Sequence, residues 1–145
     1  METLWIMIAH RSGARLFERS GRGAGLKLVK DIPHPQGRLR NQDIDADKPG
    51  RSFDRFGQGR HAMSSEHEPT EHIAERFAKE LANLLNEGAV THRYSSLVLA
   101  AEPGFLGMLR TKLMPQTADK IIASLDKNLA HVPERDLPGY LTEII

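Results

Sequence analysis

The chain of 145 residues has ordinary proportions of hydrophobic (39%) and charged (27%) residues and a formal net charge of +1. It contains no cysteine, which excludes disulfide bonds, thiol nucleophiles and cysteine-ligated metals. No stretch approaches the ~20 apolar residues of a membrane-spanning helix, so we expect a single soluble domain over residues 1–145.

The amino terminus lacks the marks of a secretory signal. Met1-Glu2-Thr3 has no basic residue, and the apolar run that follows stops at Ala9. We therefore expect an unprocessed protein of the cytoplasm with no membrane partner.

The first third of the chain predicts a three-stranded antiparallel meander. Leu4–Ala9 is a continuous apolar run, typical of a central strand buried on both faces. His10–Gly13 supplies a turn, and Ala14–Arg19 alternates like a strand. Ser20–Gly25 is a second turn, which leads into a third strand at Leu26–Ile32.

Residues 33–68 break this pattern, because they are rich in proline, glycine and charge and poor in large apolar residues. This composition predicts a long, mobile loop insertion, and loops of this length are usually functional or disordered. Pro69–Glu87 is the clearest helix, since Ile73, Phe77 and Leu81 recur at helical spacing.

The second half of the chain continues with alternating strands and helices. Ser96–Ala101 is a buried strand, Pro103–Met114 a short helix, and Pro133–Ile144 a final helix. Ala118–Leu129 fits either a helix or a strand. The elements together predict an α/β fold, in which an antiparallel meander and βαβα units form one mixed five-stranded sheet covered by helices.

The chain shows no metal-binding or catalytic motif. His67 and His72 are five residues apart, which turns them about 140° from each other on a helix, too far for a zinc-protease motif. The predicted first strand carries no carboxylate, and the available ones (Asp31, Asp43, Asp45, Asp47 and Glu102) mostly fall in the loop. The glycines at 21–25 precede a strand rather than a helix. No metal and no cofactor are expected.

Part of the loop has a composition that suits RNA. Arginine can pair with phosphates and phenylalanine can stack on bases, and both alternate with glycines shortly before the helix. The candidate RNA-binding residues are Arg51, Arg55, Phe56, Gly57, Gly59, Arg60 and His61. The alternative is a loop whose phenylalanines merely fix it to the body of the protein.

The charge distribution agrees with a phosphate-bearing partner. Residues 1–60 carry twelve Lys and Arg against seven Asp and Glu, whereas residues 61–145 carry eight against twelve. A mixed, solvated surface explains the same numbers.

Five segments together resemble a family of bacterial proteins described as required for attachment to host cells. The segments are Trp5–Ala9, Ser12–Phe17, Leu97–Pro103, Phe105–Arg110 and Asp126–Leu129. The resemblance in the order of elements covers nearly the whole chain, and the five segments are structural rather than catalytic. The resemblance favours a strand within Ala118–Leu129 and a fold similar to the ribosomal L18/S11-like or RNase H-like arrangement.

The family is also similar to the middle domain of archaeal and eukaryotic peptide-chain release factors. In those factors a Gly-Gly-Gln loop before a long helix promotes hydrolysis of peptidyl-tRNA. By this resemblance Gln58 is the candidate catalytic residue, between Gly57 and Gly59, while Phe56 stands where the triplet has its first glycine.

Two functions remain open from the sequence. The first is a non-enzymatic member of the host-attachment family with unresolved biochemistry. The second is a translation-associated protein that binds tRNA, rRNA or the ribosome and hydrolyses peptidyl-tRNA through Gln58. Nothing in the sequence indicates an oligomeric state.

Overall fold

The computed structural model describes residues 2–21, 24–34 and 59–141, with the side chains of its long helix described from His72 onward. The five strands are β1 Leu4–His10, β2 Gly13–Arg19, β3 Lys27–Pro33, β4 Ser96–Ala101 and β5 Ile121–Leu125. The helices are α1 Gly59–Val90, α2 Pro103–Thr111, α3 Pro115–Ala118 and α4 Leu137–Leu141, the last preceded by a 3-10 turn at Glu134–Asp136.

The strands form one mixed sheet in the order β3-β2-β1-β4-β5. β1 and β3 are both antiparallel to β2, whereas β4 is parallel to β1 and to β5. The predicted α/β fold with an antiparallel meander followed by parallel strands is therefore confirmed, and β1 lies at the centre of the sheet.

The central strand is buried on both faces, as its continuous apolar sequence predicts. Trp5, Met7 and Ala9 pack on one face with the apolar residues of α1 and α2. Residues of the other face meet the C-terminal segment, which we define as residues 126–141 and which contributes Leu129, Leu137 and Leu141. In the described part of the chain, the sheet thus carries α1 and α2 on one face and the short, mostly irregular C-terminal segment on the other.

The long helix begins earlier than the sequence pattern predicts. α1 starts at Gly59 and continues through Pro69, so the loop prediction is wrong for residues 59–68. Pro69 suggests a helix start because proline suits the first turn. The preceding residues include the good helix formers Ala62 and Met63, and a helix already packed on a core extends through such residues at little cost. Residues 35–58 of the predicted loop lie outside the described residues.

In the second half of the chain, the structure shows which alternative applies to Ala118–Leu129, and two helices are shorter than predicted. Ala118–Leu129 contains the strand β5, in agreement with the family resemblance. α2 ends at Thr111 rather than Met114, and the predicted helix at Pro133–Ile144 is a 3-10 turn followed by the five residues of α4. Residues 142–145 lie outside the described part. No described helix is both long enough and apolar enough to cross a membrane.

Candidate functional site

Two parallel strands end side by side at one edge of the sheet. Ala9 of β1 is paired with Ala101 of β4, and each strand is followed at once by polar residues. In open α/β sheets, ligands bind outside the carboxyl ends of the parallel strands. We name the polar residues at this edge the edge cluster: His10, Arg11, His34, Glu102 and His131.

Arg11 and Glu102 form an ion pair across this edge. The Nε atom of Arg11 donates to Oε1 of Glu102 at 3.2 Å, and both side chains are about one-third exposed (30% and 37%). Glu102 has extended backbone directly before α2, yet its side chain does not cap that helix. A pair this exposed is screened by water and contributes little stability. Its main effect is to hold the guanidinium beside the start of α2.

His10 and His131 lie on the face covered by the C-terminal segment. Nδ1 of His10 accepts a hydrogen bond from the backbone N–H of Ser12 at 3.2 Å, which requires that this nitrogen carry no proton. The two imidazole rings are tilted with their centroids 6.3 Å apart. His10 therefore shapes the β1–β2 turn and lies beside His131 of the C-terminal segment.

His34 joins the β1–β2 turn to the end of β3. Its backbone N–H donates to the carbonyl of Ser12 at 3.0 Å. Its Nδ1 atom is 2.8 Å from the carbonyl oxygen of Arg11, and because a carbonyl only accepts, this nitrogen carries the proton. The imidazole also lies on the ring of Phe77 in α1, with ring centroids 4.1 Å apart.

The edge cluster has the groups to contact an anion but not to perform two-carboxylate chemistry. Glu102 is its one carboxylate, and Asp31 on β3 is separated from it by β2 and β1. Asp43, Asp45 and Asp47 lie outside the described residues. Among the residues that the structure describes, no three His, Asp or Glu side chains stand close enough together to hold a metal ion.

The residues predicted to contact RNA are only partly described. Arg51, Arg55, Phe56, Gly57 and Gln58 lie outside the described residues. Gly59, Arg60 and His61 form the first turn of α1. A helix of 32 residues is about 48 Å long, and the described buried residues of α1 run from Ile73 to Ala89, toward its far end. The Gly-Gln sequence therefore directly precedes the amino-terminal end of a long helix.

Sequence reasoning missed two side chains that the structure shows to be important at this end of the molecule. His34 stands one residue beyond a strand, and its partner Phe77 is far away in the sequence. Arg15 of β2 donates through Nη2 to the carbonyl oxygens of Leu129, Ala130 and Val132, at 3.1, 3.2 and 2.9 Å. Alternation along β2 assigns Arg15 to a face, but no sequence signal identifies backbone carbonyls as its partners.

Residues 5–141 match the model of a family described as "Protein required for attachment to host cells". No curated protein matches the chain.

Two of the solved structures that match the chain are archaeal. One is described as "Archaeal protein", with a TM-score of 0.45, 14% identity, and coverage of 97% of this chain and 38% of the other. The second is the archaeal translation termination factor aRF1, with a TM-score of 0.42, 15% identity, and coverage of 97% and 39%. The chain spans less than two fifths of the length of either.

Proposed function

The chain belongs to the family of proteins required for attachment to host cells, and we propose that it binds RNA through the segment that leads into α1, without catalysing a reaction. We name residues Arg51–His61 the RNA-contact segment. This proposal selects the binding part of the second function that the sequence leaves open.

The position of α1 carries the proposal. The helix begins at Gly59, so Arg60 lies in its first turn, and the other arginines and the phenylalanines of the RNA-contact segment precede it in the sequence by three to eight residues. The amino-terminal end of a helix carries a partial positive charge and unpaired backbone N–H groups, which favour phosphates. Arg51, Arg55 and Arg60 add three full positive charges to the same stretch of chain.

Basic residues outside the RNA-contact segment also favour RNA as the partner. The excess of basic residues lies in residues 1–60, which include β1–β3 and the RNA-contact segment up to Arg60. On β3, Lys27 and Lys30 are exposed. A basic region of this kind attracts a polyanion over long range and makes its binding sensitive to salt.

The absence of catalysis is part of the proposal, because Gln58 stands in an incomplete triplet. Phe56 takes the place of the first glycine, and a bulky side chain restricts the backbone where glycine would leave it free. Release-factor-like hydrolysis of peptidyl-tRNA through Gln58 is the competing function.

Co-sedimentation with ribosomes tests RNA binding. The triple variant Arg51→Ala, Arg55→Ala, Arg60→Ala removes three charges from the RNA-contact segment. Its matched control removes three exposed arginines elsewhere: Arg76→Ala, Arg93→Ala and Arg135→Ala. We expect the wild type and the control to sediment with ribosomes at low salt and to be released at high salt, while the triple variant fails to sediment at either. Equal sedimentation of both variants would contradict the proposal.

A peptidyl-tRNA turnover assay separates binding from hydrolysis. We compare Gln58→Ala with Gln116→Ala, which changes an exposed glutamine on α3. The non-enzymatic proposal expects the same turnover from the wild type and both variants. Loss of turnover with Gln58→Ala alone would establish the competing function.

A further inference from the structure

The C-terminal segment contacts the sheet through few buried side chains. Leu129, Leu137 and Leu141 are its buried residues, with exposures of 3%, 0% and 0%. Most of its other residues are exposed to solvent. Ordering a segment costs conformational entropy at every residue, whereas the gain from burial comes here mainly from these three leucines. The segment is therefore weakly stabilised for its length.

The backbone of the segment is held mainly by local hydrogen bonds. The N–H of Val132 donates to the carbonyl of Leu129, and the N–H of Asp136 donates to the carbonyl of Pro133. α4 has five residues, including Gly139, and a helix this short is not stable in water by itself. When the leucines leave the sheet, nothing else stabilises α4, so the segment opens as one unit.

Arg15 joins the segment to the sheet. Its Nη2 atom donates to the carbonyls of Leu129, Ala130 and Val132. Its Cζ atom lies 5.5 Å from the ring centroid of Phe17, which is two residues further along β2 on the same face. Hydrogen bonds from a guanidinium are stronger than those between neutral groups. All three bonds must break when the segment leaves the sheet.

The opposite face of the sheet has a separate core. Trp5, Met7 and Leu99 pack there with apolar residues of α1 and α2, and the described residues of the C-terminal segment take no part in it. The strands β1–β5 pair with one another, and the segment follows β5 in the chain. The segment can therefore leave without separating two paired strands.

We propose that the C-terminal segment is a detachable cover: it leaves the sheet as a unit while β1–β5, α1 and α2 stay folded, and Arg15 holds it closed. Opening uncovers an apolar face of the sheet, formed by Ile6, Ile8, Phe17 and Val98. The cover thus controls when this face is accessible to another molecule. The inference does not depend on the RNA binding proposed above.

Labelling of thiols in the native state tests the inference, because the chain has no cysteine of its own. Leu137→Cys places a thiol under the cover, and Leu97→Cys places one in β4 on the face that α1 covers; both leucines are 0% exposed. Dithiodipyridine reacts with each thiol only in conformations that expose it.

The two thiols should differ in rate and in urea dependence. We expect Leu137→Cys to react about tenfold or more above the rate that its own global unfolding, measured by circular dichroism, permits. Its rate should hardly change with urea below the unfolding transition, since opening exposes little surface. Leu97→Cys should react at the rate that its global unfolding permits, with the full urea dependence.

Arg15→Met, introduced into the Leu137→Cys chain, tests the role of Arg15. We expect labelling to become about ten- to a hundredfold faster, because the closed state loses three hydrogen bonds to a charged group. Arg135→Met, which changes an exposed arginine, should leave the rate unchanged. Equal rates with Arg15→Met and with Arg135→Met would overturn the role of Arg15.

Amide hydrogen exchange of the wild type tests the cover even if Leu137→Cys does not fold. We expect the amides of Val132, Asp136 and α4 to exchange through an opening with little urea dependence. The amides of Met7 and Leu99 should exchange through global unfolding. The same urea dependence for both groups, or labelling of Leu137→Cys through global unfolding alone, overturns the inference.

Discussion

The phenol ring of Tyr94 is stacked on the indole of Trp5, with ring centroids 4.6 Å apart and ring planes at 26°. Tyr94 also donates a hydrogen bond from Oη to the carbonyl of Leu85 at 2.7 Å, and both aromatic side chains are 3% exposed. The pair closes the core where α1 ends and the chain turns toward β4. The two rings leave no room beside α1, so a residue of α1 that faces them cannot carry a side chain without a steric clash.

The first prediction concerns Gly88, which faces both rings. A Cβ atom at Gly88 would lie 2.8 Å from Cζ3 of Trp5 and 2.9 Å from Cε2 of Tyr94, closer than such atoms approach each other. We expect Gly88→Ala to lower the free energy of unfolding by about 1 to 3 kcal/mol, because packed rings cannot move aside freely. Urea unfolding followed by circular dichroism measures the change.

Gly107 provides the matched control for this substitution. It lies in α2, and a Cβ atom there would meet nothing within 4 Å. Gly107→Ala should be neutral or should stabilise by up to about 1 kcal/mol, since alanine favours the helix. Equal effects of the two substitutions on the free energy of unfolding would show that contact with the two rings does not cause the loss of stability at Gly88.

The second prediction concerns the pH dependence of stability. Burial raises the pKa of Tyr94 to about 12 from 10.0, partly offset by a hydrogen bond with Thr117. The folded chain therefore holds the phenolic proton more tightly, and the unfolded chain loses it first as the pH rises. The stabilisation that the raised pKa of Tyr94 gives the folded chain is fully present below pH 10. Between pH 10 and pH 12 the free energy of unfolding falls by about 2 to 3 kcal/mol.

Comparison with two phenylalanine variants isolates this effect from the titration of lysines in the same range. Tyr94→Phe should show a shallower fall between pH 10 and pH 12, together with a loss of about 1 kcal/mol at pH 7 from the missing hydrogen bond. Tyr140→Phe changes a tyrosine that is 51% exposed and should follow the wild type. If the free energy of unfolding of Tyr94→Phe falls as steeply between pH 10 and pH 12 as that of the wild type, the fall does not come from the raised pKa of Tyr94.

The third prediction concerns Arg15, whose Nη2 group reaches three carbonyls of the C-terminal segment. Arg15→Met keeps much of the side-chain volume but removes every donor. We expect it to lower the free energy of unfolding by about 1.5 to 3 kcal/mol, the usual value of hydrogen bonds to a charged group. Arg15→Lys should fall between, because an ammonium group cannot reproduce the planar guanidinium.

Thermal and urea unfolding measure the effect of Arg15, with Arg135→Met as the control. Arg135 is exposed, and its substitution should change stability by less than about 0.5 kcal/mol. Faster amide hydrogen exchange confined to α4 in Arg15→Met would locate the loss in the C-terminal segment. If Arg15→Met is as stable as the control, the three hydrogen bonds contribute nothing measurable.

The fourth prediction concerns Asn86, which connects α1 to the turn before α3. Its Oδ1 atom accepts from the backbone N–H of Met114 at 3.0 Å and from the hydroxyl of Thr117 at 2.7 Å. Thr117 is fully buried, so Asn86→Ala leaves a buried hydroxyl with one partner fewer. We expect a loss of about 1 to 3 kcal/mol in the free energy of unfolding.

A double-mutant cycle checks the coupling between Asn86 and Thr117. Asn86→Ala combined with Thr117→Val should cost less than the sum of the single changes, because the double variant removes both partners of the bond. Asn83→Ala, at an exposed position of α1, should have little effect. Strict additivity in the cycle would be evidence against the bond in solution.

Local patterns predicted most elements of the fold because burial follows directly from periodicity. The unbroken apolar runs at the starts of β1 and β4 correctly indicated strands buried on both faces. Alternation correctly assigned Leu16 and Phe17 to opposite faces of the sheet. Element ends were less predictable, as Pro69 shows, because a proline suits a helix start yet does not require one.

The candidate site was predictable only in part. The turn residues His10 and Arg11 and the carboxylate of Glu102 stand out in the sequence because they end apolar runs. Their meeting depends on the parallel pairing of β1 with β4, which a single sequence does not specify. For His34, no feature of the local sequence points to Phe77.

The sequence by itself determined the class of fold, the central position of β1 and membership of the family, because these depend on the local order of apolar and polar residues. Only the tertiary structure decided the partners of Arg15, His34, Asn86 and Tyr94. Arg15 and Leu129, for example, are 114 residues apart in the chain. Such contacts depend on the packing of the whole domain, because a donor and an acceptor that are distant in the sequence come together only when the strands and helices that carry them pack.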